Sequence, residues 1–108
     1  MSTYILLLTL NADGREKMLE DPESLLRAEN ATEVSGVQCL GLYAVLGAFD
    51  FVSILEAPDN ESAATFSLEL GVRAGAHITT LPAIPVGLLH RESAGTRTSM
   101  PAAASPPG

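Results

Sequence analysis

The side chains with the chemistry to act on a small molecule are Asp50, His77, Tyr43, Tyr4, Thr9 and Phe51. Asp50 follows a Gly47-Ala48 turn and opens an otherwise apolar run that starts at Phe51. A carboxylate placed there can act as a general base or a ligand anchor at the mouth of a cavity, with partial burial raising its pKa. It can equally be a turn aspartate whose oxygens accept hydrogen bonds from local backbone N–H groups. His77 has a side chain whose ordinary pKa suits proton transfer near neutrality, although a histidine at a helix–strand junction is more often simply exposed. The two form a catalytic pair only if their strand ends meet. Tyr43 and Tyr4 combine an apolar body with a polar tip and can orient a carbonyl or hydroxyl ligand, or serve the core or an interface instead. Thr9, Thr79 and Thr80 can supply further hydroxyls or be ordinary β-branched strand residues. Phe51 would add an apolar wall to a ligand site. Cys39 has no Lys or Arg near it in sequence to lower its pKa, and is expected to be a small buried residue rather than a nucleophile.

Other chemistries find no pattern. Two histidines, one cysteine and scattered acids give no zinc or calcium spacing. There is no phosphate-cradling loop, no dinucleotide glycine fingerprint and no Ser-His-Asp arrangement. No cofactor and no metal are expected. The 108 residues carry a net charge of −7, with 13 acidic and 6 basic side chains. Such an acidic balance without a basic run argues against nucleic acid and anionic membranes as partners. No stretch approaches the roughly 18 apolar residues of a membrane helix. The start of the chain lacks the basic region of a signal peptide, and a lone cysteine suits a reducing compartment, so a cytoplasmic location is expected.

The elements that must position these groups follow from patterning. Thr3 to Leu10 reads as a buried central strand. Asn11 can cap a helical segment that runs to about Ser35 and breaks at Asp21-Pro22. The second helix is expected to be capped by Asp21, with Pro22 and Glu23 in its first turn and a small apolar face from Leu25, Ala28, Ala31 or Thr32, and Val34. Gly36 supplies a stop. Residues 37–57 read as a β-hairpin turning at Gly47-Ala48. Asp59 caps the next helix, in which Ala63, Phe66 and Leu70 form one apolar line and Ala64, Leu68 and Val72 a neighbouring one. Ala76 to Pro82 is the last strand. Residues 1–90 therefore form one domain.

Residues 91–108 hold no Ile, Leu, Val or aromatic side chain and read as a flexible Pro/Ala/Ser-rich tail. Arg91, Arg97 and Glu92 give this tail a charge of +1, so the domain itself carries −8 of a chain total of −7.

The order βαββαβ is that of the ferredoxin-like fold, an α+β sandwich with a four-stranded antiparallel sheet and both helical segments on one face. The other face has no helix to cover it. Yet the strands are apolar on both sides: Leu6, Leu8 and Leu10 alternate with Ile5 and Leu7, and Phe51 and Leu55 with Val52 and Ile54. A solvated face would read polar at every second position. The economical cover is a second copy, closing sheet to sheet into an α/β barrel.

Particular residues also resemble a known family. They are Tyr4-Ile5-Leu6-Leu7, Gly14, Asp21-Pro22-Glu23 and the block from Tyr43 to Asp59. Together these resemble a GYD domain protein, one of the dimeric α/β-barrel families with a ferredoxin-like subunit, over roughly residues 3–87. Gly47 and Asp50 stand at the Gly and Asp of the family signature, and Phe49 stands at its Tyr. The resemblance implies the fold and the dimer.

The expected function is a homodimer, open to higher oligomers, that encloses a mostly apolar cavity for a small organic molecule. Any catalysis would be cofactor-free proton transfer by Asp50 or His77. The alternative is a non-enzymatic assembly or regulatory module whose sheet face serves only oligomerisation.

Overall fold

The computed structural model describes residues 1–89. The expectation of a flexible tail over 91–108, and His90, lie outside the described residues. The elements are β1 (Ser2–Leu10), α1 (Ala12–Glu20), α2 (Ser24–Ala31), β2 (Gln38–Ala44), β3 (Phe51–Ala57), α3 (Asn60–Ala74) and β4 (Ala76–Ala83), with a 3₁₀ turn at Val86–Leu88. The four strands form one sheet in the order β2-β3-β1-β4, every neighbouring pair antiparallel. This is the ferredoxin-like arrangement expected from the order of elements.

Local chemistry sets the element boundaries. The Asn11 side chain accepts from Gly14 N at 2.9 Å and caps α1. Asp59 accepts from Ser62 N at 2.8 Å and caps α3. Gly75 ends α3 in the left-handed conformation, at φ 73°. The break between α1 and α2 falls at Asp21-Pro22, but Asp21 does not cap α2, which begins later, at Ser24, with Glu23 at its N-cap and no side-chain cap bond. The Asp21 carboxylate instead accepts from Glu23 N at 3.1 Å and pairs with Arg27. Proline confined its neighbours to a turn before the helix could begin.

The core lies between the sheet and the helices. Leu6, Leu8, Leu55, Phe66 and Leu70 are buried at its centre, with Leu25 of α2 and Ala63 of α3 beside them. One turn is packed backbone to backbone. A Cβ on Gly14 would fall 2.2 Å from Gly75 O, and Asn11 N donates to that same carbonyl at 2.9 Å. The corner between β1 and α1 thus sits directly on the corner between α3 and β4, an approach that only glycine permits.

One polar cluster crosses the core. Glu29 of α2 is 5 % exposed, and Ser53 of β3 donates to its carboxylate at 2.7 Å. Burial pushes the Glu29 carboxyl above its usual range, while hydrogen bonds from Ser53 and Cys39 pull it back. Cys39 is not the buried residue expected from sequence: it is exposed on the edge strand β2. Its thiol nevertheless leans on Glu29, and desolvation followed by the Glu29 charge pushes it up to about 12. That is the opposite of what a nucleophilic cysteine needs.

Candidate functional site

Strand alternation and register decide which residues share the uncovered face. In β1 the buried positions are Tyr4, Leu6, Leu8 and Leu10, so Thr3, Ile5, Leu7 and Thr9 lie opposite. Leu7 stands between Val52 of β3 and Thr79 of β4, and Ile5 between Ile54 and Leu81. These pairings assemble an apolar centre of Ile5, Leu7, Val52, Ile54 and Leu81. Ile5, Leu7, Val52 and Ile54 are half-buried among their strand neighbours, and Leu81 is 42 % exposed. Tyr43 of β2 pairs with Val52 and extends this centre to the sheet edge. It lies flat over Gly41: a Cβ on Gly41 would come within 2.9 Å of the Tyr43 ring and hydroxyl. A polar margin closes one end, where Thr9 pairs directly with His77 and Thr79 follows two residues along β4.

The structure separates the residues singled out for chemistry. Thr9, His77, Thr79 and Tyr43 belong to the open face. Tyr4 and Phe51 belong to the helix side, not to a ligand face. Tyr4 is buried, and its hydroxyl donates to Asn60 Oδ1 at 2.6 Å, tying β1 to the first turn of α3. Phe51 pairs with the buried Leu8 and packs against the core cluster. The physical reason is the period of two: each stands an even number of residues from a core leucine on its own strand. Thr80 likewise faces the helices, sharing a 2.6 Å hydrogen bond with Ser67 of α3.

Asp50 is built into the backbone. One carboxylate oxygen accepts from Leu10 N at 2.9 Å. Its own N–H donates to Leu8 O at 2.8 Å, and its carbonyl accepts from Val45 N at 3.0 Å. It fastens the end of β3 to β1 and closes the β2–β3 hairpin. It stands one step beyond the last registered pair, Leu8–Phe51, so β1 lies between it and His77. Their backbones stand two strand spacings apart, roughly 10 Å, and the Asp50 carboxylate is turned to Leu10 N of the intervening strand rather than to His77. Within one chain, Asp50 and His77 are not brought together. Phe49, at the signature position, is half-buried beside the turn.

The buried Glu29–Ser53 pair was missed in the sequence. Its signal was present, since Glu29 lies four residues after the buried Leu25 and three before the buried Thr32, on the inward stripe of α2. Among the described residues no group of three or more His, Cys, Asp or Glu could hold a metal ion, and no helix is long and apolar enough to cross a membrane.

The family model of the GYD domain matches residues 4–90. A curated relative from Thermus thermophilus, the "Glutamine synthetase and cystathionine beta-lyase binding protein", is 40 % identical over 87 residues, covering 80 % of this chain and 92 % of the relative. Among solved structures, a hypothetical protein from Pyrococcus horikoshii aligns with a TM-score of 0.49 at 22 % identity, over 85 % of this chain and 95 % of that one. With the hairpin block and its Gly47-x-Phe49-Asp50 turn in place, the chain belongs to the GYD domain family.

Proposed function

We propose that this chain is a protein-binding module that assembles through its open sheet face into a homodimer and regulates or tethers enzymes rather than catalysing a reaction. The observation that carries this reading is the apolar centre of Ile5, Leu7, Val52, Ile54 and Leu81, on a sheet face with no helix over it among the described residues. A continuous apolar patch of this kind on a small domain marks an interaction site. Self-association covers it with an identical surface at no cost in specificity. The dispersal of the candidate catalytic groups supports the non-enzymatic choice, because Asp50 is held by backbone bonds on one strand and His77 stands two strands away.

The partner class follows from the relative named for binding glutamine synthetase and cystathionine beta-lyase. The same two enzymes of this protein's own host are the partners proposed here. A cytoplasmic location is part of the same reading. Titration calorimetry of the purified chain against each purified enzyme tests it. Saturable heat with at least one enzyme is expected. No binding to either at concentrations of tens of micromolar, with both enzymes active, would contradict it.

A second reading has its own observation. Thr9, His77, Thr79 and Tyr43 place hydroxyls and an imidazole around the apolar centre, the mixture that lines small-molecule sites. Two such faces closing on each other would enclose a small organic ligand. Native mass spectrometry of gently purified protein separates the readings. A dimer carrying a discrete extra mass favours the ligand site, and a clean dimer favours the assembly module.

A further inference from the structure

Helix α3 has two apolar lines, and only one is used by the core. Ala63, Phe66 and Leu70 are buried, whereas Leu68 is 73 % and Val72 82 % exposed. Leu68 and Val72 stand one turn apart, so they form a single ridge. The ridge is one wall of a groove of about 710 Å³ between α3 and the edge strand β4. Ile78 and the Ser67–Thr80 hydroxyl pair line the groove with Gly71. Gly71 lets helix and strand meet closely, since a Cβ there would lie 2.9 Å from Ala76 O.

The segment that follows β4 is a second apolar feature left open by the described residues. Ile84, Val86, Leu88 and Leu89 are all exposed, Val86 at 81 %. The segment has a defined shape: Leu88 N donates to Pro85 O and Leu89 N to Val86 O, each at 2.9 Å, closing the 3₁₀ turn. Single exposed leucines are ordinary on a surface, but four large apolar side chains within six residues are not. None of residues 84–89 lines the groove of its own chain. The groove is built on residues 76–80 of β4, while the arm leaves beyond Ala83, at the far end of that strand.

We propose that residues 84–89 of one copy seat in the α3–β4 groove of a second copy, so that each chain clasps its partner with an apolar arm. Ile84, Val86, Leu88 and Leu89 meet Leu68, Val72 and Ile78, apolar surface against apolar surface. Because β4 is an edge strand, both arm and groove lie at the border of the sheet. Exchange of a terminal segment between identical chains adds contact area without requiring a new partner surface. The clasp rests on the self-association proposed above and is independent of whether enzymes are bound.

Trapping with single cysteines in the full 108-residue chain tests it, in a Cys39→Ser background that removes the native thiol. One protein carries Leu88→Cys. A second, of different mass, carries Leu68→Cys. A third carries Leu19→Cys on α1, where Leu19 is 84 % exposed, as an off-site control. On mixing under mild oxidation, the Leu88–Leu68 heterodisulfide is expected to exceed the Leu88–Leu19 product by on the order of tenfold or more, through the raised effective concentration of a docked segment. Equal yields of the two products in a mixture that remains dimeric would overturn the clasp and leave the dimer standing. A disulfide formed only within a doubly substituted Leu68→Cys/Leu88→Cys chain would also overturn it, in favour of docking in cis. A mixture monomeric at every concentration would overturn both the clasp and the self-association beneath it.

Discussion

The two faces of strand β1 are nearly equal in composition and differ completely in circumstance. Leu6 and Leu8 face the helices and are fully buried. Ile5 and Leu7, their immediate neighbours, face outward and are half-buried beside Val52, Ile54, Thr79 and Leu81 on adjacent strands. One face found its cover within the chain, in Leu25, Ala63, Phe66 and Leu70. The other has the same chemistry and no described helix over it. Burial of an aliphatic side chain is worth about 1.5–3 kcal/mol relative to exposure. An apolar residue on an uncovered face therefore represents stability still to be gained from whatever covers it.

Matched substitutions on the two faces give the sharpest contrast. Leu8→Asp places a charge in the fully buried layer and is expected to cost about 4 kcal/mol or more, enough to unfold a domain of this size. Leu7→Asp, one residue away, is expected to lose only about 1 kcal/mol from the lower strand propensity of aspartate, and to abolish the dimer. Circular dichroism with urea unfolding reads the first effect, at a concentration where the wild type is monomeric, and sedimentation velocity reads the second. If both variants unfold alike, the faces do not differ as described.

The covered side depends also on the contact between Gly14 and Gly75. Gly14→Ala must displace a backbone carbonyl that a Cβ would meet at 2.2 Å, and is expected to cost about 2–3 kcal/mol by chemical denaturation. An alanine variant as stable as the wild type would mean that this corner yields freely.

At the margin of the open face, Asp50 distinguishes scaffold from chemistry. Asp50→Asn retains an acceptor for Leu10 N, and its stability is expected to stay within about 0.5 kcal/mol of wild type. Asp50→Ala removes that acceptor and is expected to lose about 1–2 kcal/mol. Asparagine and alanine variants that are equally destabilised would show that the charge, and not the hydrogen bond, matters at this turn.

The smallest effect belongs to Glu29. Its pKa is raised in the folded state, chiefly by burial. The folded chain therefore holds this proton more tightly than the unfolded chain does. The associated stability is fully present below the unfolded pKa and is lost as pH rises from the ordinary carboxylate value of 4.5 through the raised one. Glu29→Gln can still accept from Ser53, so its melting temperature relative to wild type is expected to climb with pH across that window. A difference that stays flat with pH would mean that Glu29 titrates normally in the core.

Much of this was legible in the sequence, for reasons that particular residues make clear. Strand β1 is unmistakable because Ile, Leu, Tyr and Thr fill it without interruption, and Asn11 and Asp59 mark helix starts by chemistry that acts locally. The start of α2 was not legible, because Pro22 permits either a first helical turn or a preceding one, and the Asp21 bonds to Glu23 N and Arg27 decided for the latter. The sides taken by Tyr4 and Phe51 follow from a period of two, but composition alone could not say which phase meets the helices when both phases are apolar. Cys39 was read by residue type and Glu29 was passed over, because the environment of both is a tertiary fact, set where α2 meets β2 and β3.

The central claim is that the open sheet face is completed by a second copy. Sedimentation equilibrium of the wild-type chain beside Leu7→Asp, over a wide range of concentration, tests it most directly. The expected result is a reversible monomer–dimer equilibrium for the wild type and a folded monomer for the variant. A wild type that stays monomeric at the highest concentration, or a Leu7→Asp chain that dimerises as strongly as the wild type, would contradict it.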